Sequence, residues 1–300
     1  MKSIILMGEC MVELRREGHD EIVQSFAGDV YNAGVYLKRC NPEIQVQLAT
    51  QIGTDTLSEQ MLTVFTDEGI IDDLVLQTPH RLPGLYWVNT DSEGERSFLY
   101  WRENAAARWQ VEHYNDEYIT QLKQVDIFFF SGISLAILQP EHRQRFWEVL
   151  RELKAAGVTI AFDPNYRPKL WASVADTKTQ YDMAFSLCDI ALPGVEDFAM
   201  LYDLTDFAAV EAFLAPYNIA EQVIKDGPNG VVVLLDAKRT FIPITAVKNV
   251  IDTTSAGDSF NGVYLGSRMN GESIDVAVAK AAKMAGKVIQ YPGAIIPKSI

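Results

Sequence analysis

An α/β fold is the architecture this sequence predicts: a mainly parallel, doubly wound sheet flanked by helices, with a small second β-sheet standing off it. Three observations carry the prediction. Short apolar, β-branched runs alternate with amphipathic helical segments over most of the chain. Those runs are continuously apolar, as strands covered on both faces must be. Two segments, within about 9–27 and 84–101, break the rhythm with polar/apolar alternation.

Taken in order, residues 4–8 (IILMG) and 46–50 (VQLAT) read as strands. Residues 55–68 read as a helix with Leu57, Met61, Leu62 and Phe65 on one face. Residues 126–132 (DIFFFSG) read as a buried strand. Pro140 then opens a helix carrying Phe146, Val149, Leu150 and Leu153, which stops at Gly157. Residues 158–163, 189–193, 222–226 and 231–235 are further buried strands. Of the irregular segments, residues 12–14, 22–26, 84–88 and 96–101 are short strands, and SEGER (92–96) is a hairpin turn. They are expected to form a small antiparallel sheet acting as a lid on one domain spanning 1–300.

Bulk properties narrow the function. The chain has 300 residues, 48% of them hydrophobic, so it can bury a sizeable core. A net charge of -14 and a pI near 4.7 disfavour nucleic acid and anionic membranes as partners. Cys10, Cys40 and Cys188 make no CxxC pair and are expected to be buried free thiols in a reducing cytosol. The opening MKSIILMGEC lacks a signal-peptide pattern, and the apolar stretch 127–138 is too short to span a bilayer. A cytoplasmic protein is expected.

Ligands of parallel sheets bind beyond the strands' carboxyl ends. Asp163, Pro193, Asp226 and the loop near Asp252 lie at such ends. The most informative segment is 252–266, DTTSAGDSFNGVYLG. Ser255, Ala256 and Gly257 lead into an amphipathic helix, where unpaired backbone amides and the helix dipole make an anion site. Asp258, in the first helical turn, is either a helix-stabilising carboxylate or the base that takes a proton from an attacking hydroxyl.

Asp-Thr-Thr-Ser-Ala-Gly-Asp (252–258) resembles the C-terminal signature of the ribokinase-like, or PfkB, carbohydrate kinases. Residues 27–32 (AGDVYN) resemble that family's N-terminal Gly-Gly-x-x-x-Asn substrate motif, with Ala27 replacing the first glycine. The resemblance covers nearly the whole chain and implies a ribokinase-like fold, ATP, Mg²⁺ and a sugar or nucleoside hydroxyl as acceptor. One departure concerns the metal. Where the family often has Asn-x-x-Glu, this chain has Gly194, Val195, Glu196 and Asp197. Glu196 and Asp197 act on Mg²⁺ through water or serve only as helix-start carboxylates.

Two arginines bear on the acceptor. Tyr100 and Arg102 share a strand face by period-two geometry, and Arg167 follows the strand end at Asp163. An arginine fork suits a carboxylate or a phosphate, and a neutral sugar needs neither. The stretches YWRxxAAA and DPNxR, and the end GAIIPK, resemble the subgroup of the family that phosphorylates 2-keto-3-deoxygluconate. That resemblance implies an acceptor pocket of Gly28, Asn32, Tyr86, Tyr100, Arg102 and Arg167. Asp258 would deprotonate the terminal hydroxyl, giving 2-keto-3-deoxy-6-phosphogluconate.

For the nucleotide, the resemblance implies Asn165, Arg167, Lys225, Gly227, Asn229 and Gly230, with Ser255, Ala256 and Gly257 at the phosphates. Residues 225–230 alone would read as an ordinary turn. Adenine is expected near 281–286, and Asp252 with carbonyls near Gly293 could hold K⁺. Competing readings are a PfkB-type kinase of fructose, ribose or a nucleoside, and a non-catalytic sugar-binding regulator. His19, His80, His113 and His142 have no metal spacing, and Walker A, GxGxxG and nucleophile-elbow patterns are missing. Leu85, Trp87, Phe98 and Tyr100 are expected to face a partner subunit or the acceptor, favouring a homo-oligomer formed through the lid.

Overall fold

In the computed structural model, residues 1–17, 21–90, 96–236 and 238–299 are described. The chain runs through β1 (Ser3–Met7), β2 (Met11–Glu17), β3 (Glu21–Ala27), α1 (Asp29–Cys40), β4 (Gln45–Ile52), α2 (Thr56–Asp67), β5 (Val75–Gln77), β6 (Leu85–Thr90) and β7 (Arg96–Trp101). Next come α3 (Asp116–Leu122), β8 (Ile127–Ser131), α4 (Gly132–Ile137), α5 (Pro140–Ala155), β9 (Thr159–Asp163), α6 (Val174–Leu187), β10 (Ile190–Ala191), α7 (Val195–Tyr202) and α8 (Phe207–Leu214). β11 (Glu221–Lys225), β12 (Val231–Leu235), β13 (Lys238–Ile242), α9 (Ala256–Met269) and α10 (Ile274–Val288) complete the order.

The larger sheet has the order β13-β12-β11-β10-β9-β8-β1-β4-β5. From β5 to β11 every pairing is parallel, and β12 and β13 extend that edge antiparallel. Alternate side chains feed two cores. Ile5, Met7, Phe128 and Phe130 pack on one face, and Ile4, Leu6, Ile127 and Phe129 on the other. Burying both faces explains the continuous apolar runs, since each fully buried side chain of this kind contributes about 1.5–3 kcal/mol. Asp163 and Lys225 end β9 and β11 at the same sheet edge, which is where the site forms.

The smaller sheet has the order β3-β2-β6-β7 and is mixed rather than antiparallel. β2 and β6 run parallel, while β2–β3 and β6–β7 are hairpins. The reason is topological. β2 follows β1 and β6 follows β5, and those two strands leave the parallel sheet at one edge in one direction. Register also separates residues that were expected together. Leu85 pairs with Trp101 and Trp87 with Leu99 on one face, while Tyr86 pairs with Tyr100 and Val88 with Phe98 on the other. Of the thiols, Cys10 and Cys188 are buried as expected, but Cys40, at the end of α1, is exposed. The expected turn at 92–96 falls almost wholly outside the described residues, as does His19. Among the described residues, no helix is long and apolar enough to cross a membrane.

Candidate active site

The loop before α9 is tied down by Asp252. Its Oδ1 accepts the Thr254 amide at 3.0 Å and its Oδ2 the Gly293 amide at 2.7 Å. Ser255 then takes the left-handed conformation at φ 64, which costs a non-glycine residue roughly 1–2 kcal/mol. The Ala256 amide reaches the Thr253 carbonyl at 3.2 Å. Among the described residues, no acceptor meets the amides of Gly257 and Asp258. A Cβ built on Gly257 would meet nothing within 4 Å. Two free donors therefore stand at the mouth of a 14-residue helix, with open space beside Gly257, the makings of an anion site.

α1 meets this mouth from the other side. It begins after Gly28, where a Cβ would sit 2.1 Å from the Glu9 carbonyl oxygen, so only glycine fits. The Gly28 amide donates to Asn32 Oδ1 at 3.3 Å, which turns Asn32 Nδ2 onto Asp258 Oδ2 at 2.9 Å. Two more asparagines repeat the pattern. Asn165, left-handed at φ 34, donates to Asp29 Oδ2 at 3.1 Å. Asn261, one turn beyond Asp258, donates to Asp163 Oδ2 at 2.7 Å and accepts Lys225 Nζ at 2.7 Å. Lys225 also lies 3.6 Å from Asp163.

These amides hold the carboxylates without neutralising them, and burial and crowding raise their pKa values. Asp258 is pushed up to about 7, first by burial and next by the charge of Asp29. The Asn32 bond and Arg167 oppose the shift, and Asp163 adds to it. Burial, reinforced by Asp163, also raises Asp197 to about 6 and lifts Asp29 above the usual carboxylate range. Carboxylates this close resist full ionisation, so the site favours incoming positive charge and a proton on Asp258.

Side chains of the smaller sheet approach the same centre. Tyr86 is buried, donates its hydroxyl to Glu13 and packs on Tyr100 with ring centroids 5.8 Å apart. Tyr100 remains half exposed, and its phenol feels both Arg102 and Arg167. Arg102 is buried and ion-paired with Glu9, with its guanidinium 5.8 Å from the Tyr100 ring centroid. Arg167 is more open, 3.8 Å from Asp197, whose Oδ1 also accepts the Tyr166 amide at 2.8 Å. Glu196 is exposed on the first turn of α7.

Between α10 and the segment that follows β13 lies a groove of about 580 Å³. Ile242, Ile244, Val247, Ala282, Lys283 and Gly286 line it, whereas Ala281 faces the core. Gly227 and Asn229 form an exposed turn, with Asn229 Nδ2 on Asp226 Oδ2 at 3.0 Å. Gly227 has open space around it, and Gly230, at φ 118, leaves no room for a Cβ beside Phe241. Lys225 does not join that turn but points to Asn261.

Gly28, Asn32, Asn165, Arg167, Lys225, Asp197 and residues 255–258 thus gather about one centre, and Tyr86, Tyr100 and Arg102 cluster on the smaller sheet, with Tyr100 near enough to feel Arg167. Residues 227–230 lie apart, on the flank of the groove. Sequence reasoning missed Glu9, Glu13, Asp29 and Asn261. Acidic residues inside the apolar pattern of residues 4–14 were a usable signal for the first two. Asn261, three residues after Asp258, shares its helix face.

The family model for pfkB family carbohydrate kinases matches residues 1–300. The chain is 41% identical over 305 residues to a 2-dehydro-3-deoxygluconokinase of Haemophilus influenzae, covering 99% of this chain and 96% of that one. It is 40% identical over 304 residues to the 2-dehydro-3-deoxygluconokinase of Escherichia coli K12, covering 99% and 98%. A crystal structure of 2-dehydro-3-deoxygluconokinase from Thermotoga maritima superposes with a TM-score of 0.82 at 18% identity, covering 99% and 96% of the two chains.

Proposed function

Because the chain belongs to the pfkB family of carbohydrate kinases, we propose that its site moves the γ-phosphoryl group of ATP onto the terminal hydroxyl of 2-keto-3-deoxygluconate, with Asp258 as the base. The protein is an ATP-dependent sugar kinase, and phosphorylation of that sugar acid (2-dehydro-3-deoxygluconate) follows from relatives about 40% identical over its full length. The single observation supporting the chemistry is the juxtaposition at α9. Free amides of Gly257 and Asp258 stand beside a carboxylate that Asn32 holds at 2.9 Å.

Each residue then has a task. The 255–258 mouth holds the transferring phosphoryl, and Asp258 Oδ1 takes the proton as the acceptor oxygen attacks. Arg102 and Arg167 bind the acceptor's carboxylate and the phosphates, and Tyr86 and Tyr100 pack over the sugar. Gly28 leaves room for close backbone approach. The groove beside Ala282 and Gly286 takes adenine, with the open turn at 227–230 near the ribose and Asn165 near the phosphates. Mg²⁺ fits the site because Asp197 is a largely shielded carboxylate raised to about 6, first by burial and then by Asp163. Asp197, and Glu196 through water, would hold it, and its chemistry is to neutralise phosphate charge. Asp252 is read as the clamp of the loop, since both its oxygens already accept amides. Three free cysteines fit a reducing cytoplasm, and assembly through the lid completes the proposal.

ADP release with a panel of acceptors tests it. Turnover on 2-keto-3-deoxygluconate should far exceed turnover on fructose, ribose or a nucleoside. Equal turnover on a neutral sugar would overturn the acceptor assignment, and binding without turnover would make the protein a sugar sensor.

A further inference from the structure

Asp29 and Asn32 are three residues apart in the first turn of α1, so they share one helix face. That face packs against α9, where Asn32 bonds Asp258 and Asp29 presents a second carboxylate to it. Asn32 donates from Nδ2 to Oδ2 at 2.9 Å, and the Gly28 amide on its Oδ1 at 3.3 Å prevents the side-chain amide from flipping. Among the described residues no donor meets Asp258 Oδ1, so that oxygen is the one left to take a proton.

We propose that this turn of α1 is the positioning and tuning device of the base: Asn32 aims the Asp258 carboxylate, and Asp29 sets a second, competing carboxylate beside it. The inference rests on reading Asp258 as the base. Asp29 is suited to the role because its own partners are neutral. Asn165 Nδ2 holds it at 3.1 Å, so the carboxylate is fixed in place without, among the described residues, a cationic partner. The other charges facing Asp258 are compensated or screened. Asp163, from β9, has Lys225 of β11 at 3.6 Å. Arg167, from the loop after β9, is 54% exposed and opposes the effect through solvent. Tyr36, the remaining titratable neighbour on α1, stays neutral because burial raises its phenol to about 12. Asp29 is therefore the unbalanced neighbour, in line with its place directly after burial among the causes that lift Asp258.

A carboxylate of ordinary strength is a poor base for an alcohol, and one that ionises near the working pH is a better one. In the step, the acceptor O–H bond breaks as its oxygen bonds phosphorus. The proton passes to Asp258 Oδ1, and the β–γ oxygen–phosphorus bond breaks to leave ADP.

The test is the pH dependence of kcat/KM for 2-keto-3-deoxygluconate in the wild type, Asp29→Asn and Asn32→Ala. In the wild type the rate should fall as pH drops through about 7, where Asp258 becomes protonated. Asp29→Asn removes the repulsion, so the acid limb should move down by about half a unit to one unit, and the high-pH plateau should fall roughly three- to tenfold. Asn32→Ala removes a donor that favours the ionised form, so its limb should move up. A merely structural role would lower rates without moving the limbs in opposite directions. Limbs that stay fixed, or shift together, overturn the tuning proposal. Wild-type turnover by Asp258→Asn would instead overturn the base assignment itself. Should Asn32→Ala not fold, Asn32→Ser carries the same expectation, and the Asp29→Asn arm alone decides the charge effect.

Discussion

Arg102 reaches the site already paired. Its guanidinium is 7% exposed and bonded to a Glu9 carboxylate that is 2% exposed. Burial raises Glu9, and Arg102 pulls the other way. Arg102→Ala would therefore do two things at once: strand Glu9, costing about 3–5 kcal/mol of stability, and remove a charged donor from the acceptor wall. Absolute rates would mix the two effects. The ratio of kcat/KM for the sugar acid to that for a neutral sugar separates them, because loss of folded protein scales both alike. The ratio is expected to fall by roughly ten- to a hundredfold, the worth of a charge-assisted hydrogen bond of about 1.5–3 kcal/mol. An unchanged ratio, measured on folded protein, would remove Arg102 from acid recognition and leave it a structural partner of Glu9.

At the scale of elements, α9 concentrates the chemistry, and Gly257 gives it a test. Nothing lies within 4 Å of a Cβ placed there and its φ is not positive, so Gly257→Ala should fold and gain roughly 0.5–1 kcal/mol of helix stability. If the two free amides cradle a phosphate, the added methyl stands where that phosphate must approach, and turnover should drop at least tenfold while the Tm rises. A faster or unchanged enzyme would mean the phosphate sits elsewhere. This element was legible in the sequence because its signal is local: small residues, then an aspartate, then helical periodicity within fifteen positions. The parallel strands were legible for a similar reason, since burial on both faces leaves continuous apolar runs. The carboxylate group was not. Asp29, Asp163, Asp197 and Asp258 belong to four segments, and only the sheet order brings their ends together. The parallel β2–β6 pairing was hidden too, because it depends on the edge from which β1 and β5 depart.

The whole molecule presents one surface that its own chain leaves unfinished. β7 is the edge strand of the smaller sheet, and Phe98, Leu99, Tyr100 and Trp101 are consecutive apolar residues exposed by 37% to 60%. Alternation across the strand puts Phe98 and Tyr100 on the face shared with Tyr86, next to the acceptor wall, and Leu99 and Trp101 on the reverse. The first face has work to do inside the monomer. On the second, Val12, Leu14 and Leu85 pack on the main core, but Leu99 and Trp101 stay 57% and 60% exposed, and an uncovered edge strand with exposed Leu and Trp favours association. A second copy of the chain is the occupant we expect, because lid packing on lid would cover both edges by one symmetric contact. Light scattering at micromolar concentration should give twice the 33.5 kDa chain mass. Leu99→Lys combined with Trp101→Glu should give a monomer with its main sheet intact. Since the same strand carries Tyr100 on its other face, that monomer should bind the sugar acid more weakly while its affinity for ATP, whose proposed contacts are α9 and the groove along α10, stays nearly unchanged. A wild-type monomer, or a monomeric variant whose acceptor affinity is intact, would separate assembly from the lid.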